Sequence, residues 1–230
     1  KEFLRLGATP ESIYRLDNLV ELEKFEIKEK SGILDQHNIT GKKFLLFLGR
    51  IHEKKGIEIL LEAFANIMKK QEELLLVLAG SGTKEYEEGI RKLVKKLGLE
   101  NNVIFTGLVT ENEKLELLES ASLFVLTSHS DVHPIAVQDA LTMGSPVIIT
   151  ESCDYPEVKE YDAGLIIDED VKQITNSILS IVNDEERLGK MSENARRLVL
   201  ERFQSKVIIK KYDEMYKDVN SRFHEINFQD

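Results

Sequence analysis

The stretch that decides the fold is KFLLFLGRIHEKKGIEILLEAFANIMKK, Lys43 to Lys70. It opens with an unbroken apolar run, Phe44 to Leu48, that stops at Gly49. A run with no polar face reads as a short strand buried on both sides. From Ile57 the period changes. Ile57, Leu60, Leu61, Phe64 and Ile67 recur at helical spacing and form one apolar stripe. The segment is a buried strand, a glycine-bounded loop and an amphipathic helix.

The same unit recurs along the chain. Buried strands are expected at LLLVLAGSG (Leu74–Gly82), NVIFTG (Asn102–Gly107), SLFVLTS (Ser122–Ser128), SPVIIT (Ser145–Thr150) and GLIID (Gly164–Asp168). Between them, helices are expected through EYEEGIRKLVKKLG, stopped by Gly98, through ENEKLELLESA, and from Pro134 to Met143. From Asp168 to about Arg222 the pattern is helical, interrupted near Asn183–Asp184 and near Phe203–Ser205. Alternating strands and helices with short connections predict an α/β fold, a doubly wound parallel sheet with helices on both faces. Ligands bind such sheets at the carboxyl ends of the strands.

Composition narrows the function classes. A chain of 230 residues buries enough surface to need no disulfide or metal staple. Its 31 basic and 41 acidic side chains give a net charge of −10, which argues against nucleic acid or anionic lipid as a partner held by overall charge. Cys153 is the single cysteine, so no internal disulfide can form and a reducing, cytoplasmic compartment is expected. No apolar run approaches the ~20 residues of a membrane span. The chain starts at Lys1 in charged sequence, without a signal peptide or an initiator Met, and is expected to be a fragment of a longer protein.

The residues just after each strand carry the chemistry. Gly49 allows a tight turn and a close approach by a ligand. Arg50 and Lys55 follow, with Gly56 opening the helix. A guanidinium fork, an ammonium and a helix N-terminus make an anion site suited to a diphosphate, with a solvated basic loop as the alternative. The Gly80-Ser81-Gly82 step lacks the third glycine of a dinucleotide fingerprint and reads as a tight turn. Gly107 and the backbone of Leu108 could face a flat heterocycle. After the fourth strand, Asp131 falls on a loop and Asp139 one turn into the next helix. The two are at most ~12 Å apart along the chain and could flank one elongated ligand. Asp131 could instead be a helix cap. Asp139 interrupts an apolar face assigned to Ile135, Ala136, Ala140 and Met143. The amides of Ile135 and Ala136 would point outward from the first helical turn.

Taken together, G-R-x4-K-G, then G-x-G, then an acidic-x7-acidic motif running into DALTMGSPVI resemble the nucleotide-sugar-binding half of the retaining GT-B glycosyltransferases. This is the group 1, family 4 type, marked by E-x7-E. Tyr14–Phe25 (YRLDNLVELEKF) resembles that family's inter-domain linker, with Asn18, Val20, Glu21 and Phe25 matching in type. Glu201–Tyr216 (ERFQSKVIIKKYDEMY) resembles its closing helices. The resemblance implies a linker over residues 1–25, a Rossmann-like donor domain over 26–204 and a C-terminal helix over 205–230. That helix would pack back toward an N-terminal acceptor domain of the same polypeptide.

The resemblance also implies roles. Arg50 and Lys55 grip the diphosphate and neutralise the leaving group. Asp131 binds donor-sugar hydroxyls, and Asp139 the ribose. The amides of Ile135 and Ala136 bind phosphate oxygens, and the backbone around Leu108 lies near the base. Catalytic assignments fall on Arg50, Lys55 and Asp131. Donor-binding assignments fall on these three and on Gly49, Gly107, Leu108, His133, Ile135, Ala136 and Asp139. The donor is a UDP-, GDP- or ADP-sugar of hexose type, used in polysaccharide or glycoconjugate synthesis. No cofactor or metal is required, and the full-length protein could work at the inner face of a membrane.

The chain departs from the family pattern in three places. Both family glutamates are aspartates, each roughly 1.5 Å shorter. The usual E-G-F-G becomes Asp131-Val132-His133-Pro134, so glycines are lost. His133 is new, and is read as an exposed loop histidine with a donor-sugar contact as the alternative. The usual Gly-Gly before Pro-Glu becomes Ser152 to Val158, SCDYPEV. A non-catalytic sugar-nucleotide-binding module therefore stays open. So does an unrelated nicotinamide-cofactor enzyme, for which only the Gly-Ser-Gly step speaks.

Overall fold

The computed structural model describes residues 2–27 and 29–227. Six strands form one parallel sheet: β1 (Phe44–Leu48), β2 (Leu75–Ala79), β3 (Val103–Gly107), β4 (Leu123–Leu126), β5 (Val147–Thr150) and β6 (Gly164–Ile167). Their order across the sheet is β3-β2-β1-β4-β5-β6. Each apolar run of the sequence has become a strand, and β1, β2, β4 and β5 are buried along their whole length. The helices are α1 (Glu2–Arg5), α2 (Ile33–Gln36), α3 (Ile57–Met68), α4 (Lys84–Lys96), α5 (Glu111–Ser120), α6 (Ile135–Met143), α7 (Glu157–Glu160), α8 (Val171–Ile181), α9 (Glu185–Leu198) and α10 (Ser205–Asn227). The short helices α1, α2 and α7 are additions to the sequence reading. Each spans a single turn, too little for a helical period to show.

The strand order reverses at β1. The chain runs outward from β1 to β3, then returns to β4 on the other side of β1. Right-handed crossovers that leave a parallel sheet in opposite directions place their helices on opposite faces. The carboxyl ends of β1 and β4 are therefore the switch point at which such sheets bind ligands. The helix limits have local causes. The Thr83 hydroxyl accepts the Tyr86 amide at 3.3 Å to start α4, and Gly98 ends it with φ +70°. Thr110 and Glu113 form a reciprocal capping box at the start of α5. The interruption expected near Phe203 is a wide π-helical turn, Val199–Phe203, between α9 and α10.

The N-terminal segment assigned to the linker lies against the domain. The Val20 amide donates to the Phe203 carbonyl at 2.8 Å, and the Ser205 amide to the Val20 carbonyl at 3.1 Å. Asp17 is buried and pairs with Lys211 of α10 at 3.1 Å. Gln138 of α6 donates to the Asn18 carbonyl at 2.6 Å. Lys1 of that segment, Lys28, and the last three residues of the 205–230 segment lie outside the described residues. Among the described residues, no helix is long and apolar enough to cross a membrane.

Candidate functional site

The loops after β1, β2 and β4 meet by backbone contact, and glycines make this possible. Gly56 has φ +62°, and a Cβ on it would stand 2.0 Å from the Thr127 carbonyl oxygen. The Thr127 hydroxyl donates to the Gly56 carbonyl at 2.7 Å. The Ser128 hydroxyl and the His129 amide both donate to the Lys54 carbonyl, each at 2.8 Å. On the other side, Cβ atoms on Gly80 and Gly82 would stand 1.9 and 1.8 Å from the Gly49 and Ile51 carbonyl oxygens. The Gly-Ser-Gly step thus lets the β2 loop pack against the β1 loop.

These contacts fix the loops relative to one another at the switch point. Arg50 is exposed and, among the described residues, makes no hydrogen bond or ion pair. Lys55 pairs directly with Asp131, whose carboxylate also lies 3.3 Å from the Ser128 hydroxyl. Both partners are mostly buried, with side chains 17% and 20% exposed. Asp131 does not cap α6. The capping position belongs to Pro134, and no side chain caps the helix. The Ile135 and Ala136 amides open α6 with no backbone acceptor among the described residues. Gly107 turns at φ +73° after β3, and Leu108 is exposed beside it.

Asp139 lies apart from Asp131. It is buried and accepts from Lys114 of α5 at 2.8 Å, while Lys114 also meets Glu111 at 2.7 Å. Burial pushes the Asp139 carboxyl above the usual carboxylate range, against the pull of Lys114. Its far side opens on a groove of about 350 Å³ lined by Asn18, Lys24, Phe25 and Ile135. The apolar face assigned to α6 is corrected here. Ile135 is exposed, Ala136 and Met143 are half-buried, and the buried positions are Val137, Gln138, Asp139, Ala140 and Leu141. The first helical turn lies beside the switch point, and the linker covers the next.

His133 is the largest correction. It is not an exposed loop histidine, for its side chain is 11% exposed. The ring stacks on Tyr155, with centroids 4.0 Å apart, and meets Phe203 edge-on at 6.2 Å. Its backbone is left-handed, φ +49°, which is uncommon for a residue other than glycine. Arg15 of the linker stands 2.6 Å from Nε2. A guanidinium can only donate, so Nε2 is bare and the ring proton sits on Nδ1, which is buried without an acceptor. Burial, then the Arg15 charge, lowers the imidazole pKa from its ordinary value. Asp17, His133 and Glu157 bring one ligand-type atom each within 4.8 Å of one another. The sequence reading missed Arg15, Asp17, Lys114 and Glu157. Only the fold brings them in, from segments remote in sequence.

Residues 29–198 match the family of glycosyl transferases group 1. The chain belongs to that family. N-acetyl-alpha-D-glucosaminyl L-malate synthase of Bacillus anthracis is 29% identical over 84% of this chain and 49% of its own length. The chain spans about half the length of the curated relatives it matches most fully. Among solved structures, the C-terminal domain of a group 1 family glycosyl transferase from Francisella tularensis superposes with a TM-score of 0.71 at 22% identity. It covers 81% of this chain and 99% of that one. The Anabaena protein HepE, solved with UDP-glucose, gives 0.79 at 19% identity over 95% of this chain and 60% of its own. At these identities the structures establish the fold. This glycosyl transferase group 1 domain has the Rossmann-like half of a GT-B architecture.

Proposed function

We propose that this chain is the donor-substrate half of a retaining glycosyltransferase that moves a hexose-type sugar from a nucleoside diphosphate sugar to an acceptor. The supporting observation is the unpaired Arg50 beside Lys55, at the point where the strand order reverses. A diphosphate gives Arg50 a bidentate partner and draws Lys55 from Asp131. The released Asp131 carboxylate then accepts sugar hydroxyls. A sugar-nucleotide supplies both exchanges, whereas a free nucleoside diphosphate leaves Asp131 without a partner. The Ile135 and Ala136 amides donate to the remaining phosphate oxygens at the N-terminus of α6. Asp139 holds the ribose, and the base lies toward Leu108.

As the glycosidic bond breaks, negative charge grows on the departing phosphate. Once the donor is bound, Arg50, Lys55 and the α6 amides already face the phosphates before this happens, which is what makes such groups effective. Losing one preorganised donor typically costs ~10²–10³ in rate. This chain alone transfers no sugar, because acceptor positioning belongs to an N-terminal domain. The Lys55–Asp131 pair and the aspartate replacements favour a second reading, a module that binds sugar-nucleotides without catalysis.

Calorimetric titration with UDP, GDP and NAD tests the donor assignment. Binding of a nucleoside diphosphate that Arg50→Ala and Lys55→Ala each weaken supports it. Parent-like binding by both variants, or a preference for NAD, overturns it. Transfer assays on the full-length parent separate the transferase from the non-catalytic module.

A further inference from the structure

Arg15, Asp17, His133, Asp154 and Glu157 form a polar cluster under the linker. Its geometry is that of a cation cradle with the cation already in place. The Arg15 guanidinium lies 2.6 Å from His133 Nε2, 3.8 Å from Glu157 and 3.7 Å from Asp17. It also donates to the Asp154 carbonyl at 3.1 Å. Asp17 and Glu157 are more than nine-tenths buried. Each retains one oxygen without a hydrogen-bond partner. The guanidinium therefore fills the space among the three groups that a metal ion would otherwise use.

The position of His133 in the chain gives the cluster its consequence. It lies between Asp131 and the α6 amides, the two parts of the donor loop. The Asp131 and His133 amides donate to the Ser152 and Cys153 carbonyls, each at 3.2 Å. A left-handed backbone at a residue other than glycine is costly and is kept by its surroundings, here the packed ring and the amide bonds to the 152–153 carbonyls. We propose that Arg15 and His133 are a positioning pair, a clasp by which the linker sets the conformation of the donor loop. This rests on the donor-site reading. Neither residue touches the donor; both act through the 131–136 backbone.

The clasp has a defined protonation requirement. Nε2 must be bare to accept from Arg15, and a proton there places two donors face to face. The titratable and charged groups around the ring are Arg15 and Asp17 of the linker, Asp154 and Tyr155 of the segment leading into α7, and Glu157 of α7 itself, with Lys211 of α10 reaching Asp17. The clasp holds while His133 is neutral and releases as pH falls below the ordinary imidazole value of about 6.5. Because coupling is reciprocal, a ligand that orders the donor loop also tightens the linker.

Hydrogen exchange on the ligand-free chain tests this, read in the linker at the Val20 amide and in the donor loop at the Asp131 and His133 amides, which donate to the Phe203, Ser152 and Cys153 carbonyls, and corrected for intrinsic exchange. His133→Phe keeps the stack on Tyr155 and removes the acceptor; Arg15→Ala removes the donor and leaves the ring in place. Each variant is expected to lose about tenfold protection in both segments at pH 7.5. The parent is expected to lose it as pH falls from 7 to 5, and the variants to show no such step. Parent-like protection in both variants overturns the clasp. So does zinc bound at one per chain with Arg15 released, which would make the cluster a metal centre. A last arm repeats the exchange with UDP or GDP. If the parent binds neither, the donor-site reading fails, while exchange in the free protein still decides the clasp.

Discussion

Gly56→Ala measures how tightly the β1 and β4 loops are joined. The perturbation has two parts. The residue sits at φ +62°, where a side chain costs roughly 1–2 kcal/mol. Its Cβ would also stand 2.0 Å from the Thr127 carbonyl oxygen and 3.4 Å from His129 Cε1. A backbone oxygen cannot rotate away, so the loops must separate, at a further cost of about 1–3 kcal/mol. The total is about 2–5 kcal/mol. Gly98→Ala supplies the control, since Gly98 has φ +70° and nothing within 4 Å of a new Cβ. It should lose only the conformational part, roughly 1–2 kcal/mol. At about 2–4 °C per kcal/mol for a chain of this size, Tm should fall by about 10 °C for Gly56→Ala and about 4 °C for Gly98→Ala. Urea unfolding followed by circular dichroism measures both, with equal m-values required for the comparison. Equal losses would show that the Gly56–Thr127 approach relaxes freely and that the glycine is kept for backbone angle alone.

Arg50→Ala should leave Tm unchanged, since Arg50 is exposed and unpaired, yet weaken UDP or GDP binding by tenfold or more, at ~1.5–3 kcal/mol for charge-assisted bonds; calorimetry and a thermal scan read the two effects separately. Asp139→Asn should weaken a nucleoside diphosphate and its sugar conjugate by similar factors, whereas Asp131→Asn should weaken only the conjugate; paired titrations that show equal effects for Asp131→Asn would remove it from the sugar. Because burial raises the folded pKa of Asp139, its contribution to stability is full below the unfolded carboxyl pKa of about 3.9 and is lost as pH rises through the raised folded value. Asp139→Asn removes this contribution, which opposes ordinary acid denaturation, so the acidic limb of a stability-against-pH curve should steepen, and an unchanged limb would contradict the assignment.

The sheet was legible in the sequence for a physical reason. A parallel strand covered on both faces must be apolar at every position, so FLLFL and LLVLA announce themselves without any period. The loop after β1 was equally legible as a glycine-bounded turn carrying Arg50 and Lys55. The α6 face was not, because Ile135 looks like core until the switch point is known to lie beside it. Nor was the burial of His133, which depends on a linker 118 residues away folding back over the loop. The carboxylates Asp131 and Asp139 were both found, but their partners were not. Lys55 was assigned to phosphate alone, and Lys114 carries no motif. Local pattern reports how a segment is covered; it does not report what covers it.

The pairing of Val20 with Gln204 makes the intervening domain a portable cassette. The backbone crosses into the body at Val20 and out again at Gln204, joined there as a parallel bridge. Neighbouring strands lie about 4.8 Å apart, so both crossings pass through one narrow gate. A surface loop of an unrelated scaffold could take up the segment between them with both junctions already side by side, and without stretching either protein. The same gate also restricts motion. The two segments that leave it are joined to each other by Asp17 and Lys211 and to the body by Arg15 and Asn18, so they move with the domain and with one another.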